Sequence, residues 1–163
     1  MRSLICSIVA AIGLALALAQ PLAADGNGLV THQSNYPFDE TVARFEEAVL
    51  NASEVGFRLY TRIDHAEAAR ELGTEMPGST VIVFGTPAHA ARGFMAAPTL
   101  AIDGPLKALV WEDSSGAVML SYNSPDYIGQ VRFPRHGLPD MSGTPDFEIL
   151  GNTLNAFAEY ATK

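Results

Sequence analysis

The chain has a single cysteine in 163 residues, Cys6, and that cysteine lies inside the first apolar run. Once the run is removed, no disulfide, thiolate nucleophile or cysteine metal ligand remains, so stability in an oxidising compartment must come from packing alone. Cations are scarce as well: 10 Lys and Arg stand against 18 Asp and Glu, for a net charge of −8. An acidic surface repels phosphate backbones, and no nucleic-acid partner is expected. The chain also lacks a block of about five or six like charges that would mark an interaction tail. There is no Gly-x-Ser-x-Gly elbow, no phosphate-binding loop and no dinucleotide fingerprint. The four histidines, His32, His65, His89 and His136, are not paired at the helical or His-x-His spacings that build a metal site locally, so neither a metal nor another cofactor is expected.

Long hydrophobic runs are confined to the N-terminus. Met1-Arg2 precedes an apolar stretch from Leu4 to Leu18, and a run of about 15 residues with a small-residue exit is the pattern of a secretory signal peptide. Crossing a bilayer takes roughly 20 apolar residues, and Gln20 and Pro21 interrupt this run first. The expectation is a cleaved signal over residues 1–24, a periplasmic or secreted protein, and no stable membrane anchor after cleavage. Cleavage is expected near Ala24, ahead of the polar Asp25-Gly26-Asn27-Gly28, with Ala19 as the alternative behind the small-x-small triplet Ala17-Leu18-Ala19. A lipidated cysteine would have to follow the apolar run, whereas Cys6 sits near its start. Residues 25–163 then form one domain with a real hydrophobic core. Arg2 is the only charge lost, which takes the net charge from −8 to −9.

The rest of the chain alternates between two hydrophobic periods. Leu29 to Gln33 is a short β-like run closed by Ser34, Asn35 and Pro37. Val42, Phe45, Val49 and Ala52 recur at helical spacing behind Asp39 and Glu40, whose charges suit a helix N-terminus. Phe57, Leu59, Thr61 and Ile63 alternate with polar residues, the period of a strand with one buried face. Asp64 ends that strand and caps a short helix, with Glu67 three residues on. Thr80 to Phe84 is apolar on both sides and is expected in the middle of the sheet. Thr86 and Pro87 begin an Ala-rich helix as N-cap and first residue, running about 88–97 and broken by Pro98. A loop follows to Pro105. Lys107 to Glu112 and Val118 to Tyr122 flank Asp113-Ser114-Ser115-Gly116, a hairpin turn in which Gly takes positive φ. Pro125 to Gln130 reads as a short helix, 132–145 as a long Pro- and Gly-rich loop that is either functional or mobile, and Phe147 to Thr162 as a closing amphipathic helix.

This order, β-α-β-α-β-α-β-β-(α)-α, predicts an α+β two-layer sandwich: a roughly five-stranded, mixed or mostly antiparallel sheet with helices mainly on one face. Strand order stays open. The blocks Arg62-Ile63-Asp64-His65-Ala66, Phe84-Gly85-Thr86-Pro87, Pro105 to Asp113 with Gly116, and Ser121-Tyr122-Asn123 together resemble the DUF302 family over about residues 29–138. The resemblance implies a compact α+β domain with dimerisation among its expected properties, and it brings no agreed activity. Two departures stand out: Thr86 where the family usually has Asn, and Ala88-His89-Ala90-Ala91 where it has a Gly-containing turn.

Several side chains are candidates for a site. His65, at a strand-to-helix junction, has the chemistry of an acid, base or ligand near neutral pH, against the simpler reading that Asp64 caps the helix and His65 packs there. Thr86 heads a helix whose free N–H groups suit an anion, and His89 and Arg92 add charge one turn on, against a plain capped helix with two surface side chains. Lys107 can reach such an anion or blunt a strand edge. Trp111 and Tyr122 share a face or not according to hairpin register. The first expectation is a small, anionic ligand bound where the second and third strands end, with His65, Thr86, His89, Arg92 and Lys107 around one cleft. The alternatives are an enzyme using His65 as general acid or base, and a homodimeric or envelope-partner interaction module.

Overall fold

The computed structural model describes residues 27–163. The signal segment expected over 1–24, with its cleavage sites and Cys6, lies outside the described residues. The elements run β1 (Leu29–Gln33), α1 (Phe38–Asn51), β2 (Arg58–Asp64), α2 (His65–Glu71), β3 (Ser79–Gly85), α3 (Pro87–Ala96), β4 (Leu106–Glu112), β5 (Val118–Asn123), α4 (Pro125–Tyr127), α5 (Phe133–Arg135) and α6 (Pro145–Thr162). The five strands make one sheet in the order β1-β5-β4-β3-β2, with every neighbouring pair antiparallel.

The core lies on one side of this sheet. Val30, Leu120, Tyr122, Ala108, Val110, Ile82 and Phe84 point from the strands toward α1 and α6, which supply Val42, Phe45, Val49, Leu154, Phe157 and Ala161. Phe45 and Phe84 are fully buried, and their rings meet edge to face with centroids 5.3 Å apart. Phe57 and Phe157 complete the aromatic cluster, 5.2 Å from one another in the same geometry. The two core helices are also tied directly: the Arg44 guanidinium donates to the Tyr160 carbonyl at 2.7 and 3.0 Å and lies 4.0 Å from the Tyr36 ring centre. That contact satisfies a carbonyl in the last turn of α6, which has no further turn to bond it.

The local signals read from sequence act as expected at several ends. The Asp64 carboxylate accepts from the Glu67 N–H at 2.9 Å and caps α2. At the hairpin, Asp113 Oδ1 accepts from the N–H groups of Ser115 and Ala117 at 2.8 and 3.0 Å, and Gly116 takes φ +82°. The Ser115 hydroxyl, which donates to the same oxygen at 2.6 Å, and then these backbone bonds hold the Asp113 carboxyl below its usual range.

Four expectations need correction. The middle strand is β4, not β3, because β5 and then β1 add on the far side of β4 while only β2 lies outside β3. In β2 the register shifts between Leu59 and Thr61, so Leu59 stays opposite Phe84 on the core side while Thr61 and Ile63 turn to the other face and are exposed. A bulge adds one residue and reverses the alternation beyond it. The loop expected from 99 contains a 3₁₀ turn, Pro98–Ile102. The short helix at Pro125 does not stop at Gln130: a π-helical stretch, Ile128–Arg132, carries it into α5, so the long loop is cut down to 136–144.

His32 is buried in β1, stacked on Tyr122 with ring centres 6.0 Å apart, and its Nε2 has no hydrogen-bond partner. Burial, and then the Lys163 ammonium, push the imidazole below its ordinary 6.5, against the opposing pull of Glu159. The folded state thus holds the ring neutral, while the unfolded chain takes up a proton as pH falls through its ordinary value. Stability from this residue is complete above about pH 6.5 and is lost on going below it. Urea midpoints measured from pH 7.5 to 5 should fall more steeply in the wild type than in His32→Leu; parallel slopes would rule His32 out as the source.

Candidate functional site

Strand alternation leaves the second face of the sheet without a covering helix layer among the described residues. Its side chains form three rows across the strands. The first runs from Leu29 through Asn123 and Lys107 to Val83 and Thr61; the second through Thr31, Ser121, Leu109, Val81 and Ile63; the third through Gln33, Met119, Trp111 and Ser79. Trp111 Nε1 donates to Ser121 Oγ at 3.0 Å, and that hydroxyl pairs with Thr31 Oγ1 at 2.8 Å. These bonds draw the indole back over the second row. Between the rows lies a groove of about 460 Å³, lined by Leu29, Val81, Leu109, Trp111, Asn123 and Lys107 among others. That volume is in the range of small-molecule sites, which join a mostly apolar wall to a few placed polar groups.

Lys107 stands at one end of this groove, its ammonium donating to the Pro105 carbonyl at 3.2 Å. Burial lowers its pKa, and the nearby Arg132 guanidinium lowers it further, while Asp103 acts in the opposite sense. Arg132 comes from the π-helical stretch; it donates to the Asp103 carbonyl at 3.3 Å and lies 5.5 Å from the Tyr127 ring centre. Lys107 and Arg132 also share a recess of about 10 Å³ with Tyr122 and Asn123, enough for about one water-sized occupant. Groove and recess have Lys107, Tyr122 and Asn123 in common.

A polar cluster fastens this end. His136 Nε2 meets Asp103 Oδ2 at 2.8 Å, and its Nδ1 meets Thr99 Oγ1 at 2.9 Å. The carboxylate only accepts, so in the neutral ring Nε2 donates to Asp103 and Nδ1 accepts from the Thr99 hydroxyl. Arg135 adds an ion pair to Asp103 at 3.5 Å. The His136 hydrogen bond, more than either arginine, holds the Asp103 carboxyl below its usual range. The 3₁₀ turn is thereby tied to α5 and to the segment that follows it.

The antiparallel pairing of β2 with β3 decides where the sequence-predicted residues stand. Asp64 pairs with Thr80, at the start of β3, whereas Gly85 pairs with Arg58. His65 therefore lies at the opposite end of the sheet from Thr86, about 17–20 Å away along β3 at the usual rise per residue. One cleft does not contain both. His65 is exposed and lines neither the groove nor the recess. Thr86 occupies the N-cap position of α3, yet its hydroxyl bonds His89 Nδ1 at 2.9 Å and makes no cap to the backbone. The histidine one turn on competes for the oxygen that the first N–H groups would use. His89 and Arg92 are exposed on α3. Lys107 is not on a strand edge, because β4 has neighbours on both sides. Trp111 and Tyr122 fall on opposite faces, since Tyr122 pairs with Ala108 and Trp111 with Met119.

Thus only Lys107 of the five predicted residues lines the groove. Asn123, Arg132, Asp103, His136 and Thr99 were not singled out as ligand-site residues by sequence. A weak signal existed for one of them, His136, which sits in the segment judged too long for an ordinary loop.

The family model described as Domain of unknown function DUF302 matches residues 30–154. The crystal structure of an uncharacterized conserved DUF302 protein from Bacillus stearothermophilus is similar with a TM-score of 0.63 at 18% identity, over 82% of this chain and 98% of that one. At that identity the likeness speaks for the fold. Among curated proteins, Fluoride-specific ion channel FluC 1 of Brucella suis biovar 1 is 36% identical over 112 residues, 69% of this chain and 41% of the channel protein. FluC 2 of Brucella melitensis biotype 1 is 36% identical over 112 residues, with 39% of its length covered. The chain spans about two-fifths of the curated relatives it matches.

Proposed function

This chain belongs to the DUF302 family, and from that footing we propose that it is an exported domain that binds a small anion at the Lys107 end of the uncovered sheet face. The observation that carries the reading is the pairing of Lys107 with Arg132 beside a hollow. In a protein with 18 acidic and 10 basic residues, two cations close enough to lower the Lys107 pKa cost free energy unless an anion offsets them. Asp103 offsets part, but its carboxylate is engaged by His136 and Arg135. Asn123 adds amide donors at the same place. The relatives named as fluoride channels concern an anion too, which supports the class without identifying the ligand.

The test uses the protein from residue 25 onward, titrated with sodium fluoride, acetate and phosphate at constant ionic strength and followed by backbone amide shifts. At least one anion should shift Lys107, Asn123 and Arg132 together, and Lys107→Met should weaken it by about tenfold or more, the usual worth of a charged hydrogen bond. Unchanged affinity in Lys107→Met, or shifts centred on Thr86 and His65, would overturn the assignment. Export is tested separately by the N-terminal residue of protein recovered from the periplasm, expected to be Asp25 or, at the alternative site, Gln20.

A further inference from the structure

We infer that the anion is the head of an amphipathic molecule, a medium-chain carboxylate whose tail lies along the groove from Lys107 toward Trp111. This rests on the anion reading above and names its ligand class.

The groove is not shaped like a site for a bare ion. Its volume of about 460 Å³ is far larger than the recess of about 10 Å³ at the cationic end, and its surface changes character along its length. Lys107 and Asn123 lie at one end, whereas Leu109, Val81 and Trp111 lie further along. Lys107, Leu109 and Trp111 are alternate residues of β4 and face the same way. At the usual strand rise, Lys107 to Trp111 is about 13 Å. An extended acyl chain of medium length covers that distance.

The polar atoms along the path are already used. Ser121 Oγ accepts the indole N–H and shares one hydrogen bond with Thr31 Oγ1, so both hydroxyls in the middle of the groove already have a partner within the sheet. Such a wall favours a saturated tail over a sugar or a peptide, both of which would bury polar groups without partners. Charge sits only where a carboxylate would need it.

Trp111 is the chain's only tryptophan, so its fluorescence reports occupancy of the far end directly. Acetate, hexanoate and decanoate should be titrated below their micelle-forming concentrations against the protein from residue 25 onward, reading indole emission and amide shifts. Affinity should rise by roughly fourfold per added methylene that is buried, and decanoate, unlike acetate, should shift the emission. Leu109→Gln should remove most of the chain-length dependence while leaving acetate affinity within about twofold; Val81→Thr is the milder variant should Leu109→Gln not fold. Decanol, with the same tail and no charge, should bind less tightly than decanoate.

Equal affinity for acetate and decanoate would overturn the tail while leaving the anion reading standing. Binding of decanol as tight as decanoate, unaffected by Lys107→Met, would overturn the anion head. Light scattering gives the remaining outcome: a dimer that excludes decanoate and is dispersed by Leu109→Gln would assign this face to a second copy and overturn the inference.

Discussion

Phe45→Ala should destabilise the protein by about 3–5 kcal/mol, the range for removing a fully buried phenyl ring. The ring is at 0% exposure and touches two others edge to face, Phe84 at 5.3 Å and Phe157 at 6.2 Å between centroids. Its loss removes apolar burial and opens a cavity that the surroundings cannot easily close. On one side Phe84 is fixed in an interior strand, paired with both β2 and β4. On the other, Phe157 is held by α6, whose end Arg44 ties to α1. Neither wall moves without breaking hydrogen bonds, so the cost should sit toward the upper end of the range. Against a typical total of about 5–15 kcal/mol, that is a large share. A thermal midpoint lower by roughly 10–20 °C is expected for a domain of this size. Phe45→Leu, which retains most of the volume, should recover much of the loss. A Phe45→Ala midpoint within a few degrees of wild type would mean that the aromatic cluster is not the centre of the core.

The same cluster shows what local sequence pattern carries. The spacing of Val42, Phe45 and Val49 places one face of α1 inward, and Asp64 and Gly116 mark an end and a turn through short-range chemistry. All of this is written within a few residues. The order of strands is not, because antiparallel pairing of β2 with β3 is a long-range fact. From it follows the separation of His65 from Thr86, which local reading places together. The bulge after Leu59 is equally silent: Leu59, Thr61 and Ile63 alternate evenly in sequence, and only pairing with Phe84 and Val83 shows the shift. Lys107 was legible as a cation near a proline, but its partners Arg132 and Asp103 lie 25 and 4 positions away in separate elements. His136 has no neighbour in sequence that would reveal a carboxylate 33 residues earlier as its partner. Families of local signals locate helices and turns; a site assembled from β4, a 3₁₀ turn and a π-helical stretch has no such signal.

Asp103→Ala should cost about 2–3 kcal/mol, because it strips partners from several groups at once. His136, with a side chain only 5% exposed, would lose the acceptor of its Nε2–H and keep only Thr99. Arg135 would lose its ion-pair partner, although that pair is exposed on the arginine side and contributes little by itself. Lys107 and Arg132 would then face each other without the carboxylate that now raises the Lys107 pKa. The Lys107 ammonium should therefore titrate at lower pH in Asp103→Ala than in wild type, which nitrogen-detected side-chain resonances can follow. The pH dependence of stability has a definite sign. Asp103 is held below its ordinary carboxyl value of 3.8, so its contribution is present above that value and is lost as pH falls through the folded one. Asp103→Ala should flatten the wild-type loss of stability in that acid window. A cycle with His136→Ala separates the cluster from simple loss of packing. If Asp103 and His136 act as one fastening, the double variant should be scarcely less stable than either single variant. Additive losses would show that the two residues stabilise independently, and an unchanged Lys107 titration would break the link between this fastening and the cationic end of the groove.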